Sequence, residues 1–263
     1  MAGHNASGGG TASARSEQLE DVLQISIDLS AMRDRKQMLG MILTEARRLS
    51  GAEAGSLYIR RDRKLQFEVA QNDAIDVSGI ARSAAAAALD VGGHSVAGLV
   101  ADSGRTVNVA DSYRLEAGAP FRVDRDFDSV TGYRTRSILA IPLTCPDGEV
   151  IGVLELINHI GADGQVGPFD EPGNSPIASL AAVAAVSVHN ALLAEQLKQA
   201  HLDTTIRLAV AAEFRHQGTA DHIRRMSDVC ACLAGAMGLG PETVEFIHAA
   251  SPMHDVGKVS IPD

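Results

Sequence analysis

Tryptophan is absent from these 263 residues, and Trp, Tyr and Phe together make up only 3% of them. Such a composition excludes a core built on large rings. Small aliphatic side chains must fill the interior, with Ala-rich helices in close contact. Cysteine is also scarce. Cys145, Cys230 and Cys232 show neither metal-finger nor disulfide-framework spacing, which fits a reducing cytosol. The Cys230-x-Cys232 pair reads as helix packing. Positive charge is in deficit, with a formal net charge of −10, which argues against a general binder of nucleic acid or anionic membrane. It leaves room for an anionic nucleotide in a local pocket. The opening residues are rich in Gly, Ser and Ala and lack the apolar core of a signal peptide, so residues 1–16 read as a disordered tail. No apolar run reaches membrane-spanning length, and Ala81 to Leu89 is too short. Together these absences point to a cytoplasmic protein with neither nucleic acid nor membrane as partner.

What is present suffices for two domains, since 45% of the residues are hydrophobic. Residues 17–49 carry apolar side chains at helical spacing, with a break near Ser30 and Asp34 as cap of a second helix. Gly55 to Arg60 and Leu65 to Ala70 read as strands around a polar turn. A helix capped by Ser95 should end near Gly104, followed by a short strand at Thr106 to Val109. Residues 111–136 form a long polar loop, a length typical of binding lids. Two strong strands, Ser137 to Leu143 and Val150 to Asn158, flank the turn Pro146-Asp147-Gly148. Ser175 to Phe214 reads as one long helix joining two domains, and as a candidate dimer contact. Ala220 to Asp263 holds two helices separated by Gly238-Leu239-Gly240-Pro241.

The order of elements implies an antiparallel sheet with helices beside it, an α+β fold. Four segments carry a resemblance: Gly98 to Gly104, Val107 to Tyr113, the run Thr131-Gly132-Tyr133-Arg134-Thr135-Arg136-Ser137-Ile138-Leu139, and Ile151 to Asn158. Together they resemble a GAF domain, over roughly Asp34 to Leu193 and within a sensor region of 17–195. The Thr-Gly-Tyr-Arg-Thr-Arg run is similar to the subset found in cyclic-nucleotide phosphodiesterases, which binds cyclic AMP or cyclic GMP. The resemblance implies a ligand site drawing on Ser95, Thr131, Tyr133, Arg134, Arg136 and Asn158, and a homodimer. A helix N-terminus at Ser95 offers free N–H groups to a phosphate. Arg134 and Arg136 either pair with that phosphate or tie the loop to Asp124, Asp126 and Asp128. Asn158, Phe169 and Asp170 match parts of the family's closing motif, but His159 stands at the lysine position, and a neutral His cannot form the same permanent ion pair. Cys145 lies outside any motif for pigment attachment.

A second resemblance covers 204–263, after a connector helix at 196–215. Leu208 to Glu213, His222 to Ser227, and His254-Asp255-Val256-Gly257-Lys258 with Ile261-Pro262-Asp263 are similar to the opening of an HD-GYP domain, an all-α phosphohydrolase acting on cyclic di-GMP. The resemblance implies metal ligands at His254 and Asp255, with Glu213 and His222 as further candidates, and Lys258 as the catalytic cation on the phosphate. The metals would be divalent transition ions, iron or manganese, which bind phosphate oxygens and acidify a bridging water. Taken alone, Glu213 and His222 would be helix-surface residues and His254 a core histidine. The family's later ligands would lie beyond residue 263, so the helical domain is expected to be incomplete and inactive if the chain ends there. Two functions follow as expectations. One is a sensor-regulated cyclic di-GMP phosphodiesterase. The other is a non-catalytic module for cyclic-nucleotide binding and dimerisation.

Overall fold

The computed structural model describes residues 9–32, 34–77, 88–116, 118–123, 125–170, 176–213 and 220–257, with backbone alone at 9–19, 126–127, 130, 212–213 and 220. The chain divides into two compact units, Met1–Ala191 and Leu192–Asp263.

Helices α1 (Gly9–Ala31) and α2 (Arg35–Ser50) open the first unit. The α1 helix begins at Gly9, within the stretch expected to be a tail; the Ala and Ser residues there let a helix nucleated by the apolar positions after residue 17 extend backwards. Asp34 ends the break as expected. Its side chain accepts from the N–H groups of Lys36 at 2.7 Å and Gln37 at 3.2 Å, two donors that the first turn of a helix leaves unpaired. Met38, Leu39, Ile42, Leu43 and Ala46 then bury one face of α2. Gly51 closes the helix in the left-handed conformation.

A seven-stranded antiparallel sheet follows, in the order β3-β2-β1-β6-β5-β4 with β7 also paired to β6. The strands are β1 (Ala52–Arg61), β2 (Lys64–Asn72), β3 (Leu89–Asp90), β4 (Val107–Val109), β5 (Ile138–Thr144), β6 (Val150–Ile160) and β7 (Val166–Gly167). Strand alternation sorts the side chains onto two faces. Leu57, Ile59, Leu154 and Leu156 are fully buried on one face, where Leu43 of α2 approaches Gly55. Val153, Ile138 and Ala140 lie on the other, packed with Val96, Ala97, Val100 and Ala101 of α3 (Val96–Ser103). The register sets Ser56 opposite Glu155 and Tyr58 opposite Val153, so these side chains share the α3 face. The long loop is not featureless. It contains a 3-10 turn at Ser112–Arg114 and a short helix α4 (Asp126–Thr131).

Helix α5 (Pro176–Glu213) spans 38 residues, as its uninterrupted pattern implies. Its stretch Pro176–Ala211 is long and apolar enough to cross a membrane by length and composition, contrary to the expectation that no such run exists. The Ala and Val residues raise its hydropathy, although part of the stretch is buried in the protein. Ile177, Leu180, Ala181, Ala184, Ala185 and Val188 form a buried stripe, the pattern of a helix packed along one side.

The second unit contains the remainder of α5, then α6 (Ala220–Ala236), α7 (Pro241–Ala250) and a 3-10 turn at Ser251–Met253. Ile206, Ala209 and Ile223 form its small core. The Ser227 hydroxyl donates to the His248 carbonyl at 2.5 Å, and His248 Nε2 meets Asp228 at 2.9 Å, which ties α6 to α7.

Candidate ligand-binding site

A cavity of about 330 Å³ opens on the α3 face of the sheet. Ser56 and Tyr58 of β1, Phe67 of β2 and Glu155 and Ile157 of β6 line it from the sheet. Val96 and Ala97, the first residues of α3, line it from the opposite side. Ser95 caps that helix: its hydroxyl accepts from Gly98 N–H at 3.0 Å. Inside its first turn, Gly98 lies so close to the Asp90 carbonyl that only a residue without a β-carbon fits. Tyr133, Thr135 and Arg122 of the long loop complete the rim. The site is mostly apolar, with few polar groups, as ligand sites usually are.

Glu155 is the polar group that sequence reasoning missed. Its carboxylate sits in the apolar cavity beside Ser56, whose hydroxyl lies 3.4 Å away and also contacts Tyr58 OH at 3.3 Å. Burial pushes Glu155 from the ordinary 4.5 up to about 7, while Ser56 and Tyr58 pull the other way. Burial also raises the Tyr58 phenol, helped by the charge of Glu155. The signal was in the pattern. Glu155 shares strand parity with Val153 and Ile157, so it had to face the covered side of the sheet.

The residues singled out from the sequence take different places. Ser95 and Tyr133 line the cavity. Thr131 is not among its described lining residues; its hydroxyl receives the N–H of Tyr133 at 3.2 Å. Asn158 is 2% exposed and works inside the protein. Its carbonyl oxygen accepts from the N–H groups of Arg136 at 2.8 Å and Ser137 at 3.3 Å. Its amide donates to the Arg134 carbonyl and Tyr133 OH at 2.9 Å each, and to Glu53 at 3.2 Å. Tyr133 OH in turn donates to Glu53 at 2.7 Å. Burial, followed by this carboxylate, pushes the Tyr133 phenol well up. Asn158 also adopts a φ of +57°, a left-handed conformation that Asn tolerates better than most residues.

Neither expected arginine reaches the cavity. Arg134 lies over the Tyr113 ring at 4.6 Å, and Arg125 is at the same distance. Asp128 holds this group by accepting from Tyr113 OH at 2.6 Å and from Thr135 N–H at 2.9 Å. Arg136 pairs with Asp111 at 3.6 Å and donates to the Val166 carbonyl. Arginine therefore ties the loop together, though partly through Asp111 and an aromatic ring. Of the three acids expected to hold it, Asp128 does so without pairing either arginine directly, Asp124 lies outside the described residues, and Asp126 is described by backbone alone. His159 takes a different role from the lysine it replaces. Its Nδ1 donates to the Ser50 carbonyl at 2.7 Å, at the end of α2, and its ring packs on Phe169 at 5.6 Å. Among the described residues no ion pair joins His159 to Asp170.

In the second unit, His254 Nε2 contacts Asp255 at 3.1 Å, and His254 Nδ1 contacts the Ser251 carbonyl at 3.0 Å. His222 is exposed on α6. Lys258 and the side chain of Glu213 lie outside the described residues. Among the described residues no three His, Cys, Asp or Glu side chains gather closely enough to hold a metal. The adjacent pair by itself does not fit a metal centre.

Comparison with known proteins agrees with this architecture. The family model described as GAF domain matches residues 34–188. A dual 3',5'-cyclic-AMP and -GMP phosphodiesterase 11 of Drosophila melanogaster is 32% identical over 132 residues, 50% of this chain and 8% of that protein. The cyclic di-GMP phosphodiesterase response regulator RpfG of Xanthomonas campestris pv. campestris (strain 8004) is 41% identical over 81 residues, 30% of this chain and 21% of that protein. The chain thus spans less than a quarter of the length of these curated relatives. Among solved structures, the GAF domain of a phosphoenolpyruvate-protein phosphotransferase from Coxiella burnetii matches with a TM-score of 0.53 and 19% identity, over 68% of this chain and 96% of that one. At that identity the likeness supports the fold alone.

Replacing Asn158 with Ala leaves the N–H groups of Arg136 and Ser137 without their acceptor inside the protein. Asn158→Ala is expected to lower the unfolding free energy by roughly 3 kcal/mol, read by urea unfolding of the same chain. A loss under about 0.5 kcal/mol would show that this amide is not a structural clasp.

Proposed function

The chain belongs to the GAF domain family, and from that premise we propose that its first unit is a signalling sensor binding a cyclic nucleotide, cyclic AMP or cyclic GMP. The observation that supports this reading is the cavity between α3 and the sheet. Its apolar walls, Phe67, Val96 and Ile157, suit a planar base. The N-terminus of α3 and the Arg122 side chain at the rim suit a phosphodiester, because unpaired helix N–H groups and a cation both favour a negative charge. The similarity to a dual cyclic-AMP and cyclic-GMP phosphodiesterase agrees with this ligand class. Arg134 and Arg136 have no part in it. In this reading the long α5 helix carries the ligand signal, because a bound nucleotide that favours one arrangement of the helix shifts its population. A homodimer through the same helix belongs to the proposal. Calorimetric titration with each nucleotide tests it. Saturable binding at micromolar concentration, lost in Val96→Trp, which fills the cavity, is the expected outcome. Absence of binding by both nucleotides would remove this ligand class.

A second proposal concerns the second unit, read as the opening part of an HD-GYP cyclic di-GMP phosphodiesterase domain. It rests on the similarity to RpfG and on the adjacent His254 and Asp255. Iron or manganese, with Glu213 and His222 as further ligands and Lys258 on the phosphate, belongs to this proposal. Since the described residues do not assemble a metal site, no reaction step is assigned to them. Cyclic di-GMP hydrolysis with added Mn²⁺ is expected to be undetectable for these 263 residues. Turnover abolished by His254→Ala would contradict that expectation.

A further inference from the structure

Glu155 is a carboxyl group in a place where charge is costly. It projects from the middle of β6 into the cavity, between Ser56 and Tyr58 of the neighbouring strand. A carboxylate in an apolar cavity requires hydrogen-bond donors or a nearby cation. Ser56 is a long hydrogen bond away, at 3.4 Å, and the Tyr58 phenol is a second donor to the carboxyl; no cation faces it at close range among the described lining residues. Among the described lining residues the titratable and charged groups facing the cavity are few. The β1 strand offers Tyr58, and the long loop offers Tyr133 and Arg122 at the rim. Among the described lining residues, β2, α3 and β5 offer none. Tyr133 is already engaged with Glu53 and Asn158.

This arrangement has a consequence for any ligand that carries a negative charge. A phosphodiester is permanently anionic near neutral pH. In a cavity of about 330 Å³ that Glu155 also lines, its charge and that carboxyl share one mostly apolar space. Two like charges in one site raise the cost of ionising the carboxyl. We propose that binding of an anionic ligand in this cavity is coupled to proton uptake by Glu155, so that the sensor responds to ligand and pH together. The proton comes from the solvent and adds to the carboxylate, and no bond in the ligand changes. The protonated carboxyl then donates as well as accepts, and the ligand's polar edge gains a donor that the ionised form lacks.

This inference rests on the proposed function for its ligand but not for its carboxyl group, so two measurements separate them. The first is calorimetry with cyclic GMP and cyclic AMP in buffers of different ionisation enthalpy. At pH 7 the wild-type chain is expected to take up about half a proton per ligand bound, as a group with a midpoint near 7 would. Its affinity should then fall by up to about tenfold per pH unit above that point. Glu155→Gln should bind with a buffer-independent heat and a flat pH profile. Buffer-independent binding by the wild type, or a pH dependence retained in Glu155→Gln, would overturn the proposal.

The second measurement needs no ligand. A carboxyl whose midpoint is raised in the folded state costs stability once it must ionise. That cost is absent below the ordinary value of 4.5, grows as pH rises to about 7, and is constant above. The melting temperature of Glu155→Gln should therefore pull ahead of the wild type between pH 5 and pH 7 and stay ahead by a fixed margin. Parallel curves, or a Glu155→Gln chain that fails to fold while the wild-type heats are buffer-independent, would overturn the inference whether or not a nucleotide binds. Diverging curves without binding of either nucleotide would overturn the nucleotide reading alone.

Discussion

The carboxamide of Asn158 holds together the parts on which the cavity depends. From the end of β6 it accepts the N–H groups of Arg136 and Ser137, which fixes where the long loop enters β5. It donates to Tyr133 and Glu53, which joins the loop to β1. One buried side chain thus ties two strands and the loop that closes the rim. Buried polar networks of this kind are costly when incomplete and specific when satisfied. Tyr133 reaches the cavity because Asn158 and Glu53 hold its hydroxyl. The ring of Tyr133 is available to a ligand and its phenol is not.

The loop's charges follow the same division. Arg125 and Arg134 sit on Tyr113, Asp128 receives the Tyr113 hydroxyl, and Arg136 meets Asp111. These groups hold the loop's shape on the outside. Among the described lining residues the inside is left with the Glu155 carboxyl, hydroxyl groups and Arg122 at the rim. Exposed charges of that kind contribute little individually, but together they fix a long segment that would otherwise lose order. The His159 bond to Ser50 does the equivalent at the other end of the motif, joining β6 to the end of α2 at the position where the family's motif carries a lysine.

Local chemistry was legible in the sequence where it is local in the structure. Asp34, Ser95 and Gly104 cap helices through partners within four residues, and their residue types state that role. Strand alternation in β1, β5 and β6 likewise put Leu57, Leu139 and Leu154 in the core. The sites depended on partners far along the chain. Tyr113 could not be foreseen as the seat of Arg134, nor Glu53 as the partner of Tyr133, 80 residues away. Glu155 was hidden for another reason. Its parity with Val153 and Ile157 places it on a covered face, but the cover, α3, and the cavity beneath it come from elsewhere in the chain. The α5 helix shows the converse, since Ala and Val give it the hydropathy of a membrane span while its stripe of small residues is a packing face.

The cavity has Glu155 in its floor and the α3 N-terminus above. The second unit has a small core of its own and no assembled metal site among its described residues. A crystal structure of the chain grown with cyclic GMP tests the central claim most directly. The nucleotide is expected inside the cavity, with its phosphate against the first turn of α3 and its remaining polar edge within hydrogen-bond reach of Glu155. A nucleotide bound on the outer arginines of the loop, with the cavity unchanged, would contradict it.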